Sequence, residues 1–214
     1  MKVRAFAAAV QLAALAFCAA AGCASAPIVV SLGQPSPPPT AKDYVDELKK
    51  WSRHAHLRND FDQALDVDAT LRSPEFREAY AAKYIELFKI GPENQAHTRG
   101  ELLSDGADTY EFHVETATHD YDLNDLTSAK TVWRITLVDD QGHEVQPSKV
   151  TALKERHAFD VEFYPYTTIF SRSWTVRFPR TRLDGSPMVG SDTKALTLRF
   201  AGPQGSVDLV WVLK

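Results

Sequence analysis

Apolar and polar residues alternate along the segment 64–71, which reads Ala-Leu-Asp-Val-Asp-Ala-Thr-Leu. A period of two is what a half-buried β-strand requires. The pattern changes at Ser73. Serine is a helix-capping residue, Pro74 suits the first helical turn, and Glu75 places an acid in that turn. The sequence therefore predicts a strand over residues 64–71 and a helix that begins directly after Ser73.

Two further segments have helical spacing. Thr40 is a capping residue with Asp43 three positions later, and apolar residues then recur at helical intervals, which predicts an N-terminal helix over about residues 41–55. Pro92 opens another short helix after the one that follows Ser73. We therefore predict that residues 73–104 form a helical insertion between the first and second strands.

The remainder of the chain has the pattern of short strands separated by turn residues. Because no crossover helices separate these strands, an antiparallel immunoglobulin-like β-sandwich is favoured over a parallel sheet. The predicted fold class is thus mainly β with helices (α+β), in one globular domain over residues 41–214. The predicted strands cover residues 109–118, 131–139, 148–154, 158–164, 169–178, 194–201 and 206–213.

The first 22 residues have the order of a secretory signal. Lys2 and Arg4 precede an uncharged, apolar stretch over residues 5–21. The stretch is rich in alanine and lies at the lower limit of the ~17–25 residues that a membrane-spanning helix needs. A cleaved signal over residues 1–22 is therefore favoured over a membrane span.

Ala20-Ala21-Gly22-Cys23 resembles the lipobox of bacterial lipoproteins, in which small residues precede a cysteine. The resemblance implies cleavage before Cys23 and attachment of fatty acids such as palmitate to its thiol. Each buried methylene contributes ~0.8 kcal/mol, so two or three chains anchor a protein durably in a membrane. Ordinary cleavage after Ala19-Ala20-Ala21 is the alternative.

The lipobox resemblance also implies a location in the cell envelope. Ala24 stands where aspartate would favour retention in the inner membrane, so we expect the outer membrane, a location in the periplasm-bounding cell envelope, if the host is Gram-negative. The proline-rich residues 23–40 then form an extended tether. At ~3.1 Å per residue it reaches up to roughly 50 Å.

Cysteine and charge narrow the chemistry further. Cys18 lies in the predicted signal and Cys23 carries the predicted lipid, which leaves the folded part without a disulfide or thiolate nucleophile. The chain has 24 Lys and Arg against 28 Asp and Glu, and removal of Lys2 and Arg4 leaves 22 against 28, a net charge of −6. This balance disfavours nucleic acid as a partner.

The predicted strand 109–118 carries a candidate site. Alternation places Glu111, His113 and Glu115 on one face, opposite the apolar residues. Two carboxylates flanking an imidazole could hold a divalent metal or serve general acid–base catalysis. The alternative is a solvated outer face, which also alternates charged residues.

Oxygen-bearing side chains at alternate positions follow this strand and resemble the start of a calcium loop. The helix–loop–helix calcium motif is absent, because Asp125 replaces its glycine and Thr131 its glutamate. An irregular calcium or zinc site is one interpretation, and side chains that cap turns are the other. The candidate metal ligands are His113, His119, Asp120, Asp122 and Asn124.

His54 and His56 lie near the end of the predicted N-terminal helix. Residues two apart align on a strand but diverge on a helix. We therefore expect these side chains to interact with the C-terminal dipole of the helix rather than with a metal.

The densest aromatic stretch runs from Phe159 to Tyr166. Alternation predicts that Phe159, Val161 and Phe163 point into the core. The loop after them is the best candidate for a surface that contacts a protein or a glycan. It consists of Tyr164, Pro165 and Tyr166.

Several catalytic and nucleotide-binding motifs are missing from the sequence, including the serine nucleophile elbow, the zinc-protease helix and the glycine-rich phosphate loop. We expect a lipid-anchored envelope protein with a binding or structural role, without catalytic activity or a cofactor. Its partners would be the membrane, through the anchor, and an envelope protein or glycan. The alternatives are a calcium- or zinc-dependent ligand-binding lipoprotein and a hydrolase of envelope polymers that uses Glu111 and Glu115.

Overall fold

A computed structural model describes residues 26–59, 62–153 and 160–214. The predicted signal and Cys23 lie outside the described residues. Among the helices within those three ranges, none is long and apolar enough to cross a membrane.

The described chain contains four α-helices and ten strands. The helices are α1 (Tyr44–Trp51), α2 (Pro74–Leu87), α3 (Pro92–Ser104) and α4 (Asp160–Phe163), and short 3-10 helices cover Ala41–Asp43 and Tyr121–Leu123. The strands are β1 (Val29–Val30), β2 (Ser52–Asn59), β3 (Asp62–Leu71), β4 (Thr109–Ala117), β5 (Arg134–Asp139), β6 (Glu144–Val145), β7 (Lys149–Ala152), β8 (Arg172–Pro179), β9 (Ala195–Gly202) and β10 (Gly205–Leu213).

The strands form two five-stranded sheets. Sheet A has the order β1-β10-β9-β5-β6, and sheet B has the order β2-β3-β4-β8-β7. Every pairing of these strands is antiparallel except that of β1 with β10. The prediction of a mainly β, α+β domain is confirmed at this level.

The two sheets share one hydrophobic core. Phe112 of β4 and Trp211 of β10 lie with their ring centroids 5.3 Å apart, so side chains from both sheets meet directly. The indole Nε1 of Trp211 donates a 2.8 Å hydrogen bond to the carbonyl of Trp51. This bond fixes the end of α1 against the core, and it satisfies a buried donor that would otherwise be costly.

The predicted strand over residues 64–71 is confirmed as part of β3, which pairs with β4 in the interior of sheet B. The predicted helix start is also confirmed, because the amide of Phe76 donates to Ser73 Oγ at 3.1 Å and Pro74 begins α2. Helices α2 and α3 thus form an insertion between neighbouring strands. The insertion follows the third strand rather than the first, because β1 and β2 come earlier.

The predicted helix over residues 41–55 is wrong beyond Trp51. Ser52 is extended, with φ −95° and ψ 148°, and residues 52–59 form β2. This segment pairs along β3, from Ser52 opposite Thr70 onward. The ladder of hydrogen bonds with β3 outweighs the weak helical preference of the sequence.

The predicted strand over residues 158–164 is also wrong where the chain is described, because residues 160–163 form α4. Phe163 packs on Tyr80, with ring centroids 4.5 Å apart, and its carbonyl accepts a 2.7 Å hydrogen bond from Tyr44 Oη. Val161 is exposed rather than inward-pointing. Packing against the helices therefore decided the conformation of this segment.

Part of the predicted tether belongs to the folded domain. Val29 and Val30 pair with the last strand, β10, and Val30 is buried. The amide of Lys214 donates a 2.9 Å hydrogen bond to the Val30 carbonyl. The proline-rich residues 35–39 therefore connect sheet A to α1 instead of extending from the domain.

Candidate ligand-binding site

The candidate site is built on the outer face of β4. Alternation along this strand is as predicted, because Phe112 and Val114 point into the core while Glu111, His113 and Glu115 point to the other face. These three polar side chains are nevertheless buried, with residue exposures of 0, 7 and 2%. The outer face of β4 is therefore buried at these residues, and the alternative of a solvated outer face is wrong.

Glu111 is held by arginines from three different segments. Its Oε1 lies 2.7 Å from Arg72 Nη1 and 3.4 Å from Arg77 Nη2, and its Oε2 accepts a hydrogen bond from Arg177 Nε. Because the carboxylate is fully buried, these cations compensate a charge that would otherwise be very costly. Burial, reinforced by the charge of Arg72, lowers the pKa of Arg77 to about 10.

The segment before β4 completes this charged cluster. Asp105 Oδ1 accepts a 2.7 Å hydrogen bond from Arg177 Nη2, and its carbonyl accepts one from Arg77 Nη1. Gly106 follows with φ +66°, and a Cβ at this position would overlap Glu111 Oε2. Only glycine fits here, because both the backbone conformation and the space exclude a side chain.

His113 and Glu115 form a second buried arrangement beside the first. His113 Nε2 lies 3.1 Å from Glu115 Oε1, and Ser171 Oγ donates to Glu115 Oε2 at 2.6 Å. The imidazole stacks on the ring of Tyr164, with centroids 3.6 Å apart and planes 9° apart. These contacts hold the imidazole in one orientation.

The pKa values of the pair follow from burial and hydrogen bonding. Burial lowers the pKa of His113 more than its contact with Glu115 raises it, so the imidazole is neutral at pH 7. Burial by itself would raise the pKa of Glu115, but hydrogen bonds from His113, Ser171 and Ser173 outweigh it and lower the pKa. The carboxylate is therefore ionised.

A cavity of about 240 Å³ lies over these side chains. Sheet B forms its floor, and α2, α4 and the segments beside them form its walls. Its lining is mixed, with two tyrosines, several charged groups and hydroxyl groups. The lining residues are Arg72, Tyr80, Asp105, His113, Glu115, Leu153, Asp160, Tyr164, Ser173 and Thr175.

The carboxylates and the serine of the site are hydrogen-bonded to other protein groups. A nucleophilic serine needs a base within hydrogen-bond reach, but here Glu115 lies between Ser171 and His113. The hydrolase alternative used Glu111 and Glu115 as the acid and base. Both carboxylates accept hydrogen bonds from protein side chains on each oxygen.

The structure does not bring the five predicted metal ligands together. His113 lies in the cavity, and Asn124 is buried where its Nδ2 donates to the Thr116 carbonyl and its Oδ1 accepts from Thr116 Oγ1. Throughout the described ranges, no three His, Cys, Asp or Glu side chains form a group that could hold a metal ion. Calcium or zinc binding stays a prediction. The other three candidates, all exposed, are His119, Asp120 and Asp122.

The three residues of the predicted contact surface differ in their exposure to solvent. Tyr164 is buried, with 7% of the residue exposed, because its ring packs on His113. Tyr166 is half-buried, and its hydroxyl lies 2.6 Å from Thr70 Oγ1. Pro165 is exposed. The surface prediction is therefore wrong for Tyr164, whose ring lines the cavity.

His54 and His56 lie on β2 and not at a helix end, so both point away from the core. His54 Nδ1 lies 3.1 Å from Asp68 Oδ1, and His54 Nε2 lies 3.4 Å from Asp66 Oδ1. The predicted interaction with a helix dipole is wrong, because the helix ends at Trp51. Cross-strand pairing to β3 provides acidic neighbours instead.

Sequence reasoning missed the arginines of this site and the helical wall. Arg72 stands one residue before the serine cap of α2, and Arg77 lies in its first turns. The sequence shows these two arginines on either side of the Ser73 cap, far along the chain from Glu111. The sequence does not identify Glu111 as their partner. Arg72 and Arg177 reach this carboxylate because β3, β4 and β8 are neighbours in sheet B.

Comparisons with known proteins provide little guidance for this site. No protein family matches the chain, and no curated protein matches it. A crystal structure of a novel protein of unknown function from Burkholderia pseudomallei K96243 is similar over 84% of this chain and 92% of that chain, with 11% sequence identity and a TM-score of 0.39.

Proposed function

We propose that this protein is an exported, lipid-anchored component of the cell envelope that binds a small ligand and does not catalyse a reaction. The observation that carries the binding role is the cavity of about 240 Å³ over the buried polar face of β4. A concave site with a few convergent polar groups and aromatic walls is the usual form of a ligand pocket. Polar groups are costly to bury in a core, and a ligand that bonds to them gives a reason to keep them there.

The anchor is proposed from the lipobox-like residues before Cys23. Pairing of Val29 with β10 limits the distance from that anchor. Five residues lie between Cys23 and Val29, and even a fully extended chain of these six Cα–Cα steps spans only about 20 Å. The edge of sheet A would therefore lie close to the bilayer, much nearer than the roughly 50 Å of a free proline-rich tether.

The anchor can be tested with the two cysteines of the chain. Cys23→Ser should abolish lipid attachment and release the protein from the membrane fraction, whereas the matched control Cys18→Ser should leave the protein lipidated. Mass spectrometry of the mature N-terminus gives the result directly. An unmodified N-terminus in the unaltered protein, for example after cleavage at Ala21, would refute the anchor.

The binding role can be tested by filling the cavity. Thr175 lines it from the middle of β8, and Thr197 lies half-buried on the outer face of β9 in the other sheet. Ligand-induced shifts in melting temperature should be measured over a panel of small sugars, amines and carboxylates. We expect at least one stabilising compound whose effect is lost in Thr175→Phe and kept in Thr197→Phe. No response from the unaltered protein would contradict a binding role.

The finer fold prediction, an immunoglobulin-like β-sandwich, also remains a proposal. It is supported by the hydrophobic core that both sheets share and by the short antiparallel strands. An experimental structure would test it through the angle between the sheets, since aligned sandwiches have sheets rotated by about 30°.

A further inference from the structure

We propose that the ligand of this cavity is a neutral saccharide of about one ring. The inference rests on the proposed binding role and specifies its chemical class. A sugar ring presents hydroxyl groups around its edge and C–H groups on its faces. It therefore requires hydrogen-bonding side chains together with aromatic surfaces, and the cavity has both.

The aromatic part of the cavity comes from Tyr80 and Tyr164. Both residues line the cavity, and their ring centroids lie 6.4 Å apart with planes 28° apart, so the two rings have similar orientations. Stacking on His113 fixes Tyr164 from behind. Rigid aromatic rings provide contact area with little loss of side-chain entropy on binding.

The charges of the lining argue against an anionic ligand. One arginine, Arg72, lines the cavity, against the carboxylates of Asp105, Glu115 and Asp160. Arg72 is also committed, because its Nη1 donates to Glu111. An anion would therefore approach three carboxylates, while the arginine of the lining is already engaged, and this is unfavourable in a partly desolvated space.

A cationic ligand fits less well than a neutral one. An ammonium group needs a carboxylate whose charge is not already compensated. Asp105 is paired with Arg177, Glu115 accepts hydrogen bonds from His113 and Ser171, and Asp160 also interacts within the protein. The cavity therefore offers partly occupied carboxylate acceptors, which suit the weaker hydrogen bonds of hydroxyl groups.

Hydroxyl groups supply donors beside these acceptors. Ser173 and Thr175 line the cavity, and a hydroxyl group can both donate and accept a hydrogen bond. Donors and acceptors are thus interspersed, as recognition of hydroxyl groups requires.

The size of the cavity limits the ligand. At about 240 Å³ it is smaller than the ~300–1,000 Å³ of pockets that hold drug-sized molecules. A single ring fits this volume better than a long oligosaccharide. A longer glycan would place one residue in the cavity and the others outside.

The test uses three sugars that share one ring: N-acetylglucosamine is neutral, N-acetylmuramic acid adds an O-lactyl group that carries a carboxylate, and glucosamine has an ammonium group in place of the acetamide. Glucose and galactose extend the neutral set. Isothermal titration on the full-length protein should give at least one neutral sugar that binds about tenfold more tightly than both charged analogues. Binding should be lost in Thr175→Phe and kept in Thr197→Phe.

Asp160→Asn supplies a second readout, because it removes a charge without changing shape. We expect the affinity for the neutral sugar to change by less than about threefold, whereas an amine ligand would lose about tenfold or more. The saccharide class would be overturned if a charged analogue bound more tightly than the neutral sugars. It would also be overturned if only compounds other than sugars bound in a way that Thr175→Phe abolishes. Either result would leave the binding role intact. An absence of binding by every compound would overturn both.

Discussion

The outer faces of the two sheets have similar sequence patterns but opposite environments. On sheet A, Arg199 Nε and Asp208 Oδ1 form a 2.7 Å ion pair whose side chains are 37 and 39% exposed. On sheet B, Arg72 Nη1 and Glu111 Oε1 form a pair of the same length, with side-chain exposures of 15 and 0%. The helical insertion that covers sheet B accounts for the difference. An ion pair of one geometry is thus a surface feature in one place and part of a buried site in the other.

The largest expected effect comes from the buried pair. Glu111→Gln removes the charge that compensates Arg72, Arg77 and Arg177, so we expect the free energy of unfolding to fall by about 3–5 kcal/mol. Urea denaturation would measure this loss. Asp208→Asn is the matched control on sheet A. If Glu111→Gln lowered the free energy of unfolding by no more than this control, the two faces would not differ as described.

The glycine that approaches Glu111 gives the next largest effect. Gly106→Ala adds a Cβ against the carboxylate at a positive φ, and we expect a loss of about 2–3 kcal/mol. Gly142 has φ +85° with nothing within 4 Å of its added Cβ, so Gly142→Ala should cost only about 1 kcal/mol for the backbone. Thermal unfolding of both variants would compare them. Equal losses would mean that the close contact contributes nothing.

The pH dependence of stability tests whether the outer face of sheet B is buried. Burial lowers the pKa of His113, so the unfolded state binds a proton that the folded state excludes, and stability should fall as the pH drops below about 6.5. Glu115, also with a lowered pKa, stabilises the fold above its unfolded value of about 4.5 and loses that contribution as the pH falls below it. Melting temperatures at pH 7.5 and 5.5, compared between the unaltered protein and a His113 variant, therefore report on this imidazole.

His113→Gln should flatten the dependence between pH 7.5 and 5.5, whereas His97→Gln, at an exposed histidine on α3, should leave it unchanged. His113 faces Glu115, Arg72 and Asp160, whose charges remain in both variants. An unaltered slope in His113→Gln would show that the buried imidazole is not its source.

The smallest effect belongs to the exposed pair on sheet A. A double-mutant cycle between Arg199→Ala and Asp208→Ala should give a coupling of about 0.2–1 kcal/mol, because water screens both charges. In 1 M salt the coupling should become smaller still, since the screening length falls to about 3 Å. A coupling of several kcal/mol that salt leaves unchanged would show that this face is not solvated.

Local pattern was sufficient for several elements. The alternation over residues 64–71, the cap at Ser73 and the alternation of β4 all appear in the structure as predicted. It failed at residues 52–55 and 160–163, where neighbours in space decided the conformation. A strand such as β2 is stabilised by its partner, so its own residues carry only a weak signal.

The site follows the same division. The sequence placed Glu111, His113 and Glu115 on one face, because alternation is a local property of a strand. It could not decide whether that face is solvated or covered, since coverage depends on where the insertion packs. It also could not identify the arginine partners, which lie on β8 and on either side of the insertion's first turn.

The amino-acid sequence by itself predicts a lipobox-like signal, shows that residues 24–214 contain no cysteine, and determined the faces of individual strands, because these are properties of adjacent residues. Tertiary structure alone decided that β1 closes the edge of sheet A, that Tyr164 packs on His113, and that a row of charges on β4 is buried. The physical reason is that burial and ion pairing depend on distances between segments far apart in the chain.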